Sequence, residues 1–225
     1  MNPPADRPTP PLGGQVIVLT GPPGAGKSTV AALLADRLTP SVHLHADDFW
    51  NCIKQGSIPP YLPEAHQQNQ AVLQVLVSTA FGYAAAGYQV VCDGVVGPWF
   101  IDLFRAAAEE RALPLNYVIL RPDRRTTLER ATARTGDALT DPGPIQSMYD
   151  QFGGLGAYEA NVLDSSHLTA EATADRILHD LTSGTHLLPA SPADIRAAAD
   201  PALYAITTRE PEGDLGPVPM PGVGE

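Results

Sequence analysis

Cysteine is scarce in this chain: its 225 residues hold only Cys52 and Cys92. Two cysteines with no histidine at metal spacing make no zinc site, and they read as free thiols, Cys92 buried in an apolar strand. Long apolar runs are missing too, and none approaches the length that spans a bilayer. The Pro-rich stretch from Met1 to Pro11 lacks the basic-then-apolar order of a secretion signal. The expectation is a cytoplasmic protein with no membrane partner. Basic residues are few. Lys and Arg number 14 against 25 Asp and Glu, a net charge of −11. Such a surface repels polyanions, so nucleic acid is disfavoured as the partner. Internal repeats and heptads are absent as well.

What is there alternates. Gln15 to Thr20 is a short β-branched run of the kind buried on both faces of a parallel sheet. A Gly-rich turn follows. Val30, Leu34 and Leu38 then share one helical face, and Pro40 stops that helix. Further strands are expected at 42–46, 88–92, 116–120 and 161–163. Helices are expected at 64–86 with Gly87 as the C-terminal cap, around Ile101 to Ala108, and from Arg124 to Arg134. Thr169 is expected to N-cap a last helix ending at Leu181. Strands separated by helices imply right-handed crossovers and a mainly parallel sheet of five strands covered on both faces, an α/β/α three-layer domain. That domain is expected at 14–184. Residues 1–13 read as a disordered lead. Residues 185–225 read as a Pro-, Gly- and acid-rich extension, partly disordered, with a short helix at 192–199.

The chemistry begins at Gly21-Pro22-Pro23-Gly24-Ala25-Gly26-Lys27-Ser28, a full match to G-x-x-x-x-G-K-[ST] placed between a strand and a helix. Backbone N–H groups of such a loop form an anion nest, and the next helix aims its positive end at the same point. Lys27 would reach the β- and γ-phosphates of ATP, and the Ser28 hydroxyl would ligate Mg²⁺. Thr29 completes the binding stretch. Asp47 and Asp48 follow the second strand at its carboxyl end, where open parallel sheets bind ligands. Asp47 suits a general base. Asp48 suits a helix cap or a ligand to metal-bound water. Val90-Val91-Cys92-Asp93 has the form of a strand delivering a carboxylate to Mg²⁺ or to the acceptor. Arg130 and Arg134 lie four apart on one helix face, ahead of a flexible Gly136 and Asp141-Pro142-Gly143-Pro144 stretch, as a lid requires. Arg121, Arg124 and Arg125 read as surface charges.

Together these residues resemble the nucleoside-monophosphate-kinase-like branch of P-loop proteins. That branch includes gluconate and shikimate kinases, chloramphenicol phosphotransferase, phage polynucleotide 5′-kinase and the zeta-toxin kinases. Gly21 to Thr29 with Asp47-Asp48 is most similar to the polynucleotide kinase pattern. Asp93-Gly94-Val95-Val96, Trp99, Arg121-Pro122-Asp123, Arg130 and Arg134 are most similar to chloramphenicol phosphotransferase. The resemblance covers 14–184. It implies a P-loop NTPase fold with a small helical lid, ATP and Mg²⁺ as cofactors, Asp47 as base and Arg130 with Arg134 in the lid. It implies transfer of the γ-phosphate to a hydroxyl of a small molecule such as an antibiotic, sugar or nucleoside. No shikimate or gluconate signature is present; by the resemblance Trp50, Lys54, Tyr61, His66 and Gln67 fall in the acceptor pocket with no family role carried onto them, and Asp48, Trp50, Lys54, Gln67 and Asp93 are the candidate substrate residues. The alternatives are a polynucleotide 5′-hydroxyl kinase and a regulatory ATP-binding or ATPase module. No guanine motif follows the fourth strand, which favours ATP over GTP.

Overall fold

A run of alternating contacts builds the centre of the molecule. β1 (Gln15–Thr20) is buried throughout. Val16 and Val18 pack to one face, while Ile17 and Leu19 pack to the other. That period of two is what a strand with both faces covered requires. In the computed structural model, which describes residues 13–134 and 139–189, β1 is flanked by β3 (Gln89–Asp93) and β4 (Leu115–Leu120). β2 (Ser41–His45) pairs outside β3, and β5 (Val162–Leu163) pairs outside β4. The sheet order is β2-β3-β1-β4-β5, with every pair parallel. The expected five-stranded α/β/α architecture is what forms. The N-terminal lead, the expected helix at 192–199, Gly136 and nearly all of the C-terminal extension lie outside the described residues.

Helices α1 (Lys27–Arg37) and α7 (Ala170–Ser183) cover one face through Val30, Leu34, Ala174 and Ile177. On the other face lie α3 (His66–Ala85) and α4 (Pro98–Arg111), through Leu73, Leu76, Phe81 and Phe104. Phe81 and Phe104 are fully buried, so truncating either to Ala would cost about 3–5 kcal/mol. Thr169 caps α7 as expected, its hydroxyl accepting from the Ala172 N–H at 3.1 Å. Gly87 follows α3 with φ 93°, and its N–H donates to the Ala84 carbonyl at 2.9 Å.

Register is pinned at the strands' amino ends by three amides. Gln15 Nε2 donates to Gln89 Oε1 at 2.6 Å, and Asn116 Nδ2 donates to Gln15 Oε1 at 2.7 Å. All three side chains are buried across β3, β1 and β4. Slipping one strand would orphan two of these amides, so the ladder holds the carboxyl ends level.

Three elements differ from expectation. Ala46, read as the end of the second strand, instead opens α2 (Ala46–Asn51). α5 (Arg124–Thr132) stops short of Arg134. The stretch read as a flexible loop at Asp141 to Pro144 forms the start of α6 (Pro142–Asp150). There the Asp141 carboxylate accepts from the Gly143 N–H at 2.9 Å and Pro142 sits in the first turn. Beyond Gly184 the chain stays on the sheet: Leu187 bridges Asn116, and the Leu188 N–H donates to the Leu115 carbonyl at 2.9 Å.

Candidate functional site

The strand order places β3 and β4 on opposite sides of β1, so the connections leaving β1 and β3 part and open a crevice at their carboxyl ends. The Gly21–Ser28 loop fills that point. Gly26 has φ 88° and opens directly into α1, a conformation that side chains resist. Gly24 also has positive φ, and a Cβ there would stand 2.3 Å from the Thr127 carbonyl of α5. α5 is therefore seated on the phosphate loop, with Ala131 fully buried beneath it.

Lys27 is 8% exposed and curls back over the loop, its Nζ donating to the Pro22 carbonyl at 3.0 Å. Its pKa is lowered to about 8, by burial first and by Arg134 second, while Asp47 and Asp93 act to raise it. Three charged residues from three separate segments thus act on one ammonium. Arg134 follows α5 and is exposed, and Arg130 is exposed in the last turn of α5.

Asp93 ends β3 and is only 1% exposed. Its Oδ2 accepts from the Ser28 hydroxyl at 2.6 Å, and its Oδ1 lies 2.7 Å from His43 Nε2. His45 Nε2 stands 3.8 Å from Oδ2. Burial works to raise the carboxyl pKa, but the hydrogen bonds from His43 and Ser28 and the imidazole charges outweigh it, so the group is held below its usual value. Burial pushes the neighbouring Cys92 thiol strongly upward, which leaves it an inert core group, whereas Cys52 is exposed. Ser28 and Asp93 offer a hydroxyl and a carboxylate oxygen side by side. That donor set fits Mg²⁺, a hard cation that keeps several waters and takes its other oxygens from phosphate.

Asp47 and Asp48 lie in the first turn of α2, both exposed. Asp48 does not cap the helix, because His45 holds the N-cap position. The Asp48 Oδ1 instead stands 3.6 Å from His45 Nδ1. α2 is held against β3 closely: a Cβ on Gly94 would lie 2.5 Å from the Ala46 Cβ. Val96 is fastened from two sides, its N–H donating to Thr20 Oγ1 at 2.9 Å and its carbonyl accepting from the Tyr117 hydroxyl at 2.7 Å. This fixes the turn that leads from Asp93 into α4.

The expected acceptor residues fare unevenly. Trp50 Nε1 donates to Asn69 Oδ1 at 2.8 Å, and Asn69 Nδ2 donates to the Pro60 carbonyl at 2.8 Å. Gln67 is exposed, and its neighbour Gln68 does the binding, exchanging bonds of 2.9 and 2.7 Å with the Ile58 backbone. Lys54 is exposed with its Nζ 3.1 Å from the Asn51 carbonyl. Tyr61 is 48% exposed. His66 stacks on Phe100 with centroids 6.4 Å apart. The Trp99 ring lies over Gly97 and 5.8 Å from the Phe152 ring. Arg121, read as a surface charge, is instead a clamp. It binds both Glu159 oxygens at 2.9 and 2.7 Å and the Phe152 carbonyl at 2.8 Å. Arg124 pairs with Asp150 and lies over the Tyr149 ring. Sequence reasoning missed His43, Gln68 and Asn69. Their signal was an alternating His43-x-His45 strand and an amide-rich helix start.

Comparison with known proteins agrees with this geometry. Residues 16–148, more than half of the chain, match the family model described as AAA domain, AAA_33. No curated protein matches in sequence. A sugar kinase from Janibacter sp. HTCC2649 superposes with TM-score 0.56 at 21% identity, over 75% of this chain and 95% of its own. The Mycobacterium tuberculosis APS kinase, in complex with AMPPNP and APS, gives TM-score 0.56 at 20% identity, over 75% and 98%. The Deinococcus radiodurans tunicamycin resistance protein gives 0.52 at 20% identity, over 78% and 99%. At these identities the likeness is one of fold. Among the described residues no helix is long and apolar enough to cross a membrane.

Proposed function

The chain belongs to the AAA domain family that its residues 16–148 match, and on that premise we propose that it is an ATP- and Mg²⁺-dependent kinase acting on a hydroxyl of a small molecule. The observation that carries this reading is the Ser28 hydroxyl donating to the Asp93 carboxylate at 2.6 Å, in a phosphate loop whose buried Lys27 feels the charges of Asp47, Asp93 and Arg134. A base candidate, a metal carboxylate and an arginine around one phosphate-binding lysine are the parts that phosphoryl transfer needs. The kinase fold of the structural neighbours supports the same reading.

In this reading the loop N–H groups and Lys27 hold the β- and γ-phosphates. Ser28 and Asp93 would hold Mg²⁺, which when bound would neutralise charge on the phosphate oxygens. Asp47 accepts the proton of the acceptor hydroxyl as its oxygen bonds to the γ-phosphorus. The bond from that phosphorus to the bridging oxygen breaks, and ADP leaves with the electron pair. Arg134, with Arg130 four residues earlier, stabilises charge on the transferring group.

The test uses γ-labelled ATP with pooled acceptors (antibiotics, sugars, nucleosides, hydroxy acids, a short oligonucleotide). Lys27→Ala is expected to abolish both ATP binding and labelling. Asp47→Asn is expected to keep ATP binding while transfer falls by a factor of roughly 10²–10⁴. Undiminished transfer by Asp47→Asn would remove Asp47 as the base. A wild-type protein that does not bind ATP would remove the whole reading.

A further inference from the structure

We propose, resting on the kinase reading above, that the acceptor is an uncharged, ring-bearing alcohol rather than a carboxylate or a phosphate ester. The wall beside Asp47 carries the argument. Asp47 and Trp50 are three residues apart in α2 and share a side of that helix. The Trp50 indole is tied to Asn69 in the first turn of α3 at 2.8 Å. His66, three residues before Asn69 on the same side, stacks on Phe100 at the start of α4, with ring planes 21° apart. Phe100 meets the Trp99 ring edge-on at 6.5 Å. A strip of aromatic side chains therefore leads from the base candidate across α2, α3 and α4: Trp50, joined through the Asn69 amide to the turn that carries His66, then Phe100 and Trp99.

What this strip lacks is positive charge. Between Ala46 and Phe100 there is no arginine and one lysine, Lys54. Lys54 is exposed and its ammonium stays with the Asn51 carbonyl. Among the described residues four further arginines are committed elsewhere, and Arg130 lies exposed in α5. Arg121 is bound to Glu159, Arg124 to Asp150, and Arg105 is buried at 3% exposure beside the Tyr158 hydroxyl. Arg134 serves the phosphate loop through its action on Lys27. The same arm carries Asp47, Asp48 and Glu64. Along the 46–100 stretch an anionic acceptor would meet carboxylates and no fork of guanidinium donors, the group that recognises planar anions. A flat ring or the apolar face of a sugar gains from aromatic faces with no charge to desolvate. Both atoms of the Asn69 amide are already bonded, which leaves the strip faces to offer rather than ions. At its rim the segment pinned by Gln68 exposes Tyr61 and Leu62, further apolar surface for a ring.

Matched acceptor pairs test this on the full-length protein. One pair is an aryl glucoside with the aryl glucuronide; another is a nucleoside with its 3′-monophosphate. Transfer of γ-label is read for each, and intrinsic tryptophan fluorescence reads binding without turnover, since Trp50 and Trp99 are its only sources. The neutral member is expected to be labelled at least ~10-fold faster than its anionic partner and to perturb the fluorescence alone. His66→Arg, which adds a guanidinium beside Phe100, is expected to narrow that ratio. Equal or faster labelling of the anionic members overturns the proposal. So does ATP binding with no neutral member bound or labelled, and in that case the phosphate-loop reading stands. Failure to bind ATP at all overturns both.

Discussion

Asp93 is enclosed almost completely, yet hydrogen bonds from Ser28 and His43 hold it in its charged form. Ser28 reaches one carboxylate oxygen and His43 the other, so the two together set the plane of the group. A metal-binding carboxylate depends on such outer partners, and losing one typically costs 10–100-fold in metal affinity. His43→Ala is accordingly expected to weaken Mg²⁺-dependent ATP binding by about 10-fold or more in titration calorimetry, with ATP binding in EDTA little changed. His43→Gln, which keeps a donor, should recover part of the loss. Unaltered Mg²⁺ dependence in the Ala variant would mean that Ser28 alone orients Asp93. Lys27, Ser28 and Asp93 were legible in sequence because a phosphate loop imposes fixed spacing and a strand end fixes where its carboxylate emerges. His43 was not. Its partner lies 50 residues away, and only the parallel pairing of β2 with β3 brings the two together. Arg121 misled for the same reason, since Glu159 arrives from a distant turn.

α2 carries Asp47 and rests on β3 through one close approach, Ala46 against Gly94. The element can therefore be displaced without touching the phosphate loop. Gly94→Ala would put two β-carbons 2.5 Å apart, a separation that forces α2 outward. A shift of about 1 Å at a catalytic group is enough to cost on the order of 10²-fold in rate. The expected outcome is retained ATP affinity with a fall in kcat of that order. Pairing it with Ala46→Gly returns the space, so the double variant should regain more activity than additivity predicts. Full activity in Gly94→Ala alone would show that α2 is free to move without loss. Element type was legible in β1 from its β-branched apolar run, in α3 from its helical spacing and in α7 from its Thr169 cap. α6 escaped because Asp-Pro-Gly-Pro reads as a loop by composition, although Asp at the N-cap and Pro in the first turn are also a helix start. α2 escaped because six residues are too few to show a period.

At the scale of the whole molecule, the described chain closes by laying residues 186–188 along the edge of β4. The Tyr117 N–H donates to the His186 carbonyl at 2.9 Å, and Leu188 bonds Leu115. That closure buries the His186 ring to 2% exposure. Its nitrogens have no hydrogen-bond partner, and Nε2 stands 3.5 Å from Asp180 Oδ2. Burial lowers the imidazole pKa, Asp180 opposes that, and Arg176 adds to the lowering. A histidine with a lowered folded pKa is neutral in the native state and charged on unfolding below its ordinary value near 6.5. The unfolded chain then binds the extra proton, so stability is full above about pH 6.5 and falls as the pH drops through the folded value. One proton sets a ceiling of about 1.4 kcal/mol per pH unit on that slope. The lowered carboxyls, Asp93 among them, act in a separate window, since their contribution is lost only as the pH falls below about 4. Urea unfolding at pH 7.5, 6.5 and 5.5 isolates the histidine. The wild type is expected to lose stability across this range, and His186→Leu should flatten the profile whatever its effect at pH 7.5. The flattening, not the absolute stability, is the diagnostic, because the variant also changes packing at the β4 edge. A His186→Leu profile parallel to the wild type would mean that the proton is taken up elsewhere and that the closing segment is indifferent to acid.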